Sequence, residues 1–286
     1  MAFIWILVVI AALGIVALAY MVRLSYQYRL DQQVAAFDRL PQAFDGTALM
    51  FISDIHRRII PIELIDAFMA SGGADLVLIG GDLREKSVPA ARIRENIRRL
   101  SRIAPIYMVH GNHDYDEEMR SYEVLLAEEK VRLLMNESVI LEKKDGSRIR
   151  LAGVDDPRTD HEDPELALAD MEDGRGKLFT ILMAHDPIIA KRLKGDECVD
   201  LILSGHTHGG QVALPLAGPL WRGSDDSGYW RGWFDLPVQG IGVPKTRMFV
   251  SCGFGTSRLP IRLMTEPQLH RIILRTSAAN PNQARS

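Results

Sequence analysis

Two histidines one residue apart, His206 and His208, stand in the stretch Ser204 to Gln211 with glycines on both sides. Residues two apart in an extended chain share a face. Gly205, Gly209 and Gly210 let the backbone turn tightly around whatever the imidazoles hold. Metal ligation is the chemistry this pair suits, although a polar loop with two incidental histidines would be spelled the same way. Four other short stretches carry groups of the same kind: Ser53-Asp54-Ile55-His56, Gly80-Gly81-Asp82, Gly111-Asn112-His113-Asp114 and Ala184-His185-Asp186. Taken singly, each has an ordinary reading, with Asp54 a cap, Asp82 a turn acid, Asn112 a left-handed turn residue and His185 a core histidine. Taken together, the five stretches hold five of the eight histidines and neither of the two cysteines.

Carboxylate, amide oxygen and imidazole form a donor set for borderline or harder divalent ions, with manganese first and iron, zinc or cobalt as alternatives. The lack of thiolate argues against a closed structural zinc site. Asp54, His56, Asp82, Asn112, His185, His206 and His208 are too many ligands for one tetrahedral ion. They suit two ions sharing a carboxylate, a pair that can hold a hydroxide and clamp a phosphoryl group.

Such ligands need rigid strands behind them. Short apolar runs predict strands at Ala48 to Ile52, Leu76 to Ile79, Ile106 to Val109, Ile149 to Val154, Phe179 to Met183, Val199 to Leu203, Met248 to Val250 and Leu269 to Leu274. Three-and-four spacing predicts helices at Pro61 to Ala70, Val88 to Ile103, Glu117 to Glu129, Pro164 to Met171 and Pro187 to Leu193. Strands alternating with helices indicate an α/β domain, and each chemical stretch directly follows a predicted strand. In open α/β sheets ligands bind at the carboxyl ends of strands, so the five corners are expected to converge on one crevice.

The 286 residues are 47% hydrophobic and 25% charged, an ordinary globular composition for one large domain or two small ones. The formal net charge of -3 supplies no general basic field and argues against a nonspecific nucleic-acid binder. Cys198 and Cys252 match no zinc spacing or disulfide framework. Phe3 to Val22 is apolar or small throughout, long enough to cross a hydrocarbon core of about 30 Å. Ala17-Leu18-Ala19 offers a signal-cleavage pattern, but no Lys or Arg precedes the apolar run, which favours a retained anchor. Arg23, Arg29 and Arg39 follow the span, so the positive-inside rule puts the catalytic portion in the cytoplasm, with export the alternative. The organisation expected is an anchor at 1–22, a juxtamembrane connector with loosely helical spacing at 23–46, a catalytic domain at 47–276 and a flexible tail at 277–286.

The ordered set Asp54-x-His56, Gly80-Gly81-Asp82, Gly111-Asn112-His113-Asp114, His185 and Gly205-His206-Thr207-His208 resembles the calcineurin-like metallophosphoesterase superfamily, over about Thr47 to Arg275. Gly209-Gly210-Gln211, Val250-Ser251-Cys252-Gly253 and Leu259-Pro260-Ile261-Arg262 are similar to a bacterial membrane-associated branch that includes enzymes resembling UDP-diacylglucosamine pyrophosphatases. The resemblance implies a two-sheet αββα sandwich. It implies that Asp54, His56, Asp82 and His208 hold one ion, and that Asp82, Asn112, His185 and His206 hold a second, with Asp82 bridging. His113 is then the unligated catalytic residue that protonates or hydrogen-bonds the leaving oxygen after in-line attack by a bridging hydroxide. Asp114 could orient that imidazole or cap a turn. Cys252 stands where relatives in the branch often carry a basic residue, and Arg57 and Arg58 are alternative phosphate contacts. The expected function is a membrane-anchored phosphohydrolase of a phosphodiester or pyrophosphate, possible substrates including lipid-linked ones. An exported phosphatase or nuclease and a non-catalytic scaffold are the competing readings. Leu214 to Val243, with Trp221, Tyr229, Trp230 and Trp233, reads either as self-packed aromatics or as an apolar rim for an acyl chain or bilayer.

Overall fold

The computed structural model describes residues 1–169, 177–194, 198–215, 217–220, 227–237 and 245–277. Trp221, most of the expected tail, and the last two residues of the helix expected to reach Met171 lie outside them. The chain opens with helix α1 (Ala2–Tyr26), then β1 (Arg29–Phe37), β2 (Ala48–Ile52), α2 (Ile62–Ala70), β3 (Leu76–Gly80), α3 (Ala90–Ser101), β4 (Ile106–Val109), α4 (Met119–Glu128) and β5 (Arg132–Leu133). The second half comprises β6 (Glu137–Glu142), β7 (Arg148–Gly153), α5 (Pro164–Leu168), β8 (Phe179–Met183), α6 (Ile189–Arg192), β9 (Leu201–Ser204), β10 (Ala213–Leu214), β11 (Gly218–Pro219), β12 (Gly232–Asp235), β13 (Arg247–Val250) and β14 (Gln268–Thr276).

Two six-stranded sheets result, with orders β1-β14-β2-β3-β4-β5 and β12-β13-β9-β8-β7-β6, and β10 and β11 form a separate hairpin. The central strands β2, β8 and β9 are buried on both faces, which is why they read as unbroken apolar runs. In β2, Leu49 and Phe51 enter the core between the sheets with Leu151, Ile181, Leu203 and Phe249. Met50 and Ile52 point the other way, toward Leu64, Phe68, Ile97 and Leu125 of α2, α3 and α4. Ala152, Leu182 and Ile202 face α5 and α6 on the outside of the second sheet. The layering is helix, sheet, sheet, helix, the expected α/β sandwich. Strands β2, β3 and β4 pair in parallel, as do β7, β8, β9 and β13, so each sheet presents its carboxyl ends along one edge.

The segment expected to be a loosely helical connector is corrected. The helix continues to Tyr26, and Arg29–Phe37 is a strand that pairs in parallel with β14 from Arg29↔Gln268 to Phe37↔Thr276. Being an edge strand, it turns Asp31, Ala35 and Phe37 inward but leaves Val34 exposed, so its apolar residues lack a clean two-residue period. Helix α1 is long and apolar enough to cross a membrane, and Ala2 to Tyr20 are exposed throughout.

Candidate metal centre

Each of the five chemical stretches leaves a strand and turns abruptly. Asp54, His56, Asp82, His206 and His208 all have positive φ, between 51° and 67°. This left-handed conformation costs roughly 1–3 kcal/mol at a non-glycine residue and persists only where surroundings enforce it. Backbone bonds from Asp54 N to Gly81 O (3.0 Å) and from His56 N to Asp82 O (3.1 Å) tie the first two corners together. The amides of Gly205 and His206 donate to the His185 carbonyl (2.9 Å) and to Asp54 Oδ1 (3.1 Å), linking the second sheet to the first. Close approach needs glycine here. A Cβ on Gly81 would lie 2.5 Å from His185 Nδ1, and one on Gly111 would lie 2.7 Å from the Asp82 amide nitrogen.

The donor atoms meet at the centre of this frame. His185 Nε2 is 3.2 Å from Asp82 Oδ2 and 3.9 Å from Asp54 Oδ1. His208 Nε2 is 3.4 Å from Asp54 Oδ1 and 3.2 Å from His56 Nε2, which in turn is 3.7 Å from Asp82 Oδ2. His206 Nδ1 is 3.3 Å from His185 Nε2. Asp54, His56 and His208 form one buried group with metal-binding spacing, and Asp54, Asp82 and His185 form another. Asn112 Oδ1 is buried without a hydrogen-bond partner. A buried amide oxygen without a partner and imidazole nitrogens that face one another are both features a cation relieves.

The electrostatics agree with that fit. Burial pushes the Asp82 carboxyl up, but His185 and His56 hold it well below the usual carboxylate range. Burial raises the Asp54 carboxyl. For His185, burial is outweighed by Asp82 and Asp54, which push the imidazole well above its ordinary value. A divalent cation meets the same demand without a proton. Burial and His185 lower His206 to about 4, and burial with His56 and Arg262 pushes His208 well below its ordinary value, leaving both rings neutral and able to ligate.

Groups outside the donor set surround the rings. His185 Nδ1 donates to Gly80 O at 2.7 Å, which frees Nε2. Glu85 Oε2 lies 3.1 Å from His56 Nδ1, and Asp186 Oδ2 lies 3.6 Å from His206 Nε2. Arg262, fully buried, reaches the carbonyls of Gly255 and Gly253 and comes within 3.4 Å of His208 Nδ1. Glu85 was not singled out from sequence, and Asp186 and Arg262 were quoted only within their motifs without this role, because a supporting carboxylate or arginine has no fixed spacing to its ligand.

His113 stands at the open rim. Its amide donates to Asp82 Oδ1 (2.8 Å), its ring is 5.2 Å from that of His56, and its Nδ1 is 2.9 Å from Asp116 Oδ2. A carboxylate only accepts, so Nδ1 donates the proton of this contact and Nε2 is not engaged by it. Asp116, three residues on, is therefore the orienting acid. Asp114 instead accepts from the amides of Asp82 (2.8 Å) and Gly111 (2.9 Å) and from the Tyr122 hydroxyl (2.9 Å), which makes it the turn cap. Arg57 and Arg58 are not arranged as phosphate contacts. Arg57 pairs with Glu85, and Arg58 donates to Tyr26 O, Gln27 O and Phe254 O. Cys252 is buried under Gly209, where a Cβ would meet its Sγ at 2.6 Å. Trp233 packs on Phe249 and donates to Gln33, and Tyr229 packs on Phe234, so these two aromatics belong to the sheet's packing.

The calcineurin-like phosphoesterase family profile matches residues 47–210, the span that contains the seven donors and His113. The chain is 37% identical to the uncharacterized protein YpbG of Bacillus subtilis over 227 residues, 79% of this chain and 80% of that one. It is 28% identical to the phosphodiesterase YaeI of Escherichia coli over 193 residues, 64% of this chain and 68% of that one. In fold it is similar to the 5'-nucleotidase precursor of Thermus thermophilus, with TM-score 0.52 and 14% identity over 80% of this chain and 54% of that one. The chain belongs to the calcineurin-like phosphoesterases and is a metal-dependent phosphoric ester hydrolase.

Proposed function

We propose that the protein is a membrane-anchored phosphohydrolase that works with two divalent ions, manganese first among them, on a phosphodiester or pyrophosphate of a lipid-linked substrate. The observation that carries the chemistry is the meeting of donors that follow four strands, β2, β3, β8 and β9, in one buried cluster, with the Asn112 amide oxygen after β4 buried and without a hydrogen-bond partner. Asp54, His56, Asp82 and His208 hold one ion in this reading, and Asp82, Asn112, His185 and His206 hold the other. Asp82 Oδ2 lies between His185 and His56, which supports Asp82 as the shared ligand. Asp54 also reaches toward both halves, but its His185 distance of 3.9 Å is the longer one.

Two bound ions offset charge on the phosphoryl oxygens and lower the pKa of water. His113, oriented by Asp116, presents Nε2 to the leaving oxygen, and its imidazolium form, protonated at Nε2 as well as at Nδ1, would deliver the Nε2 proton to that oxygen. The lipid reading is supported by α1, whose last turn packs against the loops of the centre and holds the site near a bilayer, where effective substrate concentration rises. The cytoplasmic orientation rests on Arg23, Arg29 and Arg39 following the span.

The test is a panel of phosphomonoester, phosphodiester and nucleotide-lipid pyrophosphate substrates, with manganese, on the full-length protein in detergent and in vesicles. Preference for the lipid-borne pyrophosphate or diester is expected. Fastest turnover on a soluble monoester, indifferent to vesicles, would overturn the lipid reading, and an extracytoplasmic carboxyl-terminal reporter would overturn the orientation.

A further inference from the structure

The last turn of α1 does not lead into a free linker. Met21 O accepts from the Arg262 amide (3.1 Å), Ser25 Oγ lies 2.9 Å from Pro260 O, Leu24 is buried, and Arg58 binds the carbonyls of Tyr26 and Gln27. The loop 257–264 is therefore held at the depth where the apolar run ends at Val22. From Met21 to Ser25 a helix rises only about 6 Å, so everything these residues touch lies within the interfacial zone of a bilayer that α1 crosses.

That loop is joined to the β10–β11 hairpin. Leu263 N donates to Gln211 O (3.0 Å), Ala213 N to Leu263 O (3.0 Å) and Leu220 N to Val212 O (2.8 Å), while Gln211 Nε2 reaches Leu259 O (3.2 Å). On these joined segments, next to the helix, Leu259 and Leu220 are each 61% exposed, Met264 50% and Leu214 39%. A soluble surface has little reason to gather four such side chains on two joined segments. Arg23 and Arg258 stand exposed beside them and form no ion pair among the described residues. A cavity of about 540 Å³ opens between the helix base and the sheet, with Tyr20 and Met264 on its wall and Arg29 and Arg231 also lining it.

We propose that loop 257–264 and the residues Leu214 and Leu220 of the adjoining β10–β11 hairpin form a second membrane contact, with Leu214, Leu220, Leu259 and Met264 inserted into the surface of an anionic bilayer. Arg23 and Arg258 meet lipid phosphates there. The occupant is lipid because the patch is continuous with the exit point of α1, and the proposal rests on the reading of α1 as a membrane span. The contact also fixes the active-site mouth, since Gln211 and Arg262 connect the same segments to His208.

The test uses the full-length protein in vesicles of phosphatidylcholine with a minority of phosphatidylglycerol. Cys198 and Cys252 are buried, so single cysteines introduced by Leu259→Cys, Leu220→Cys, Val124→Cys and Gly14→Cys can carry an environment-sensitive fluorophore. Val124 is exposed on α4, which packs beside β5 at the sheet edge opposite β1, and Gly14 has open space around it in α1. Labels at 259 and 220 should shift to the blue and be quenched several-fold more than the label at 124 by lipids with a shallow nitroxide. The label at 14 should respond to a deep nitroxide. Labels at 259 and 220 that match the label at 124, with the label at 14 quenched, overturn the contact while leaving the anchor. An unquenched label at 14 overturns the anchor and the contact with it. Hydrolysis of a soluble phosphodiester by each labelled protein verifies the fold, and clear quenching without any lipid-linked turnover refutes the substrate reading alone.

Discussion

Replacing Gly205 by Ala should disable the metal centre while leaving the fold standing. Gly205 does not occupy the left-handed region, so alanine adds no backbone strain there. Its methyl would lie 2.5 Å from both Asp54 Oδ2 and Ser53 Oγ. Ordinary contact begins at 3.4 Å, so the carboxylate must retreat by about 0.9 Å. Asp54 cannot move alone, because its two oxygens accept from the His206 amide at 3.1 and 3.2 Å. The strain should cost about 1–3 kcal/mol of stability, and a displacement near 1 Å at a ligand should slow turnover by roughly a hundredfold. Metal content after dialysis, hydrolysis of a soluble phosphodiester and thermal unfolding would be measured together. Gly146→Ala serves as the control, since its Cβ meets nothing within 4 Å although its φ of 82° makes the substitution strained. It should lose some stability and keep its metal. If Gly205→Ala kept wild-type metal content and rate, the placement of Asp54 at the heart of the site would be refuted.

His113→Ala should keep its metal and slow hydrolysis by about a hundredfold or more, most with poor leaving groups. Asp116→Ala, which removes the acceptor of His113 Nδ1, should keep its metal and lose less rate than His113→Ala, and an unchanged rate would sever that pair. Away from the centre, Asp31 is held below its ordinary value of 3.8 by its hydrogen bond to His270, with burial opposing. A depressed carboxylate contributes stability above the unfolded value and loses it as pH falls through the folded one. Asp31→Asn should therefore flatten the acid limb of stability against pH, measured by denaturant unfolding with chelator present. A limb as steep as that of the wild type would contradict the assignment.

Strands such as β2, β4 and β8 were legible because burial on both faces writes them as unbroken apolar runs, and their observed ends match the expected ones. The donor residues were legible because each follows such a strand. β1 was not, since an edge strand with Asp31 and Gln33 inside its span dilutes the pattern. Its alternation of Asp31, Ala35 and Phe37 toward the interior was the faint signal available. The spacing of Asp116 three residues after His113 could have been noticed. The roles of Glu85, Asp186 and Arg262 could not, because each reaches a ligand that follows a different strand, a pairing that exists only once the loops are folded together. Arg58 looked like a phosphate contact because it lies two residues after His56, yet the carbonyls at the end of α1 claim it.

The most direct measurement is the metal stoichiometry of the full-length protein and of Asp82→Asn, taken with turnover on the same samples. A shared carboxylate predicts two ions per chain in the wild type, and in the variant a loss of bound metal together with hydrolysis. An Asp82→Asn protein that keeps both ions and its full rate, or a fully active wild type that holds a single ion, would contradict the two-ion account.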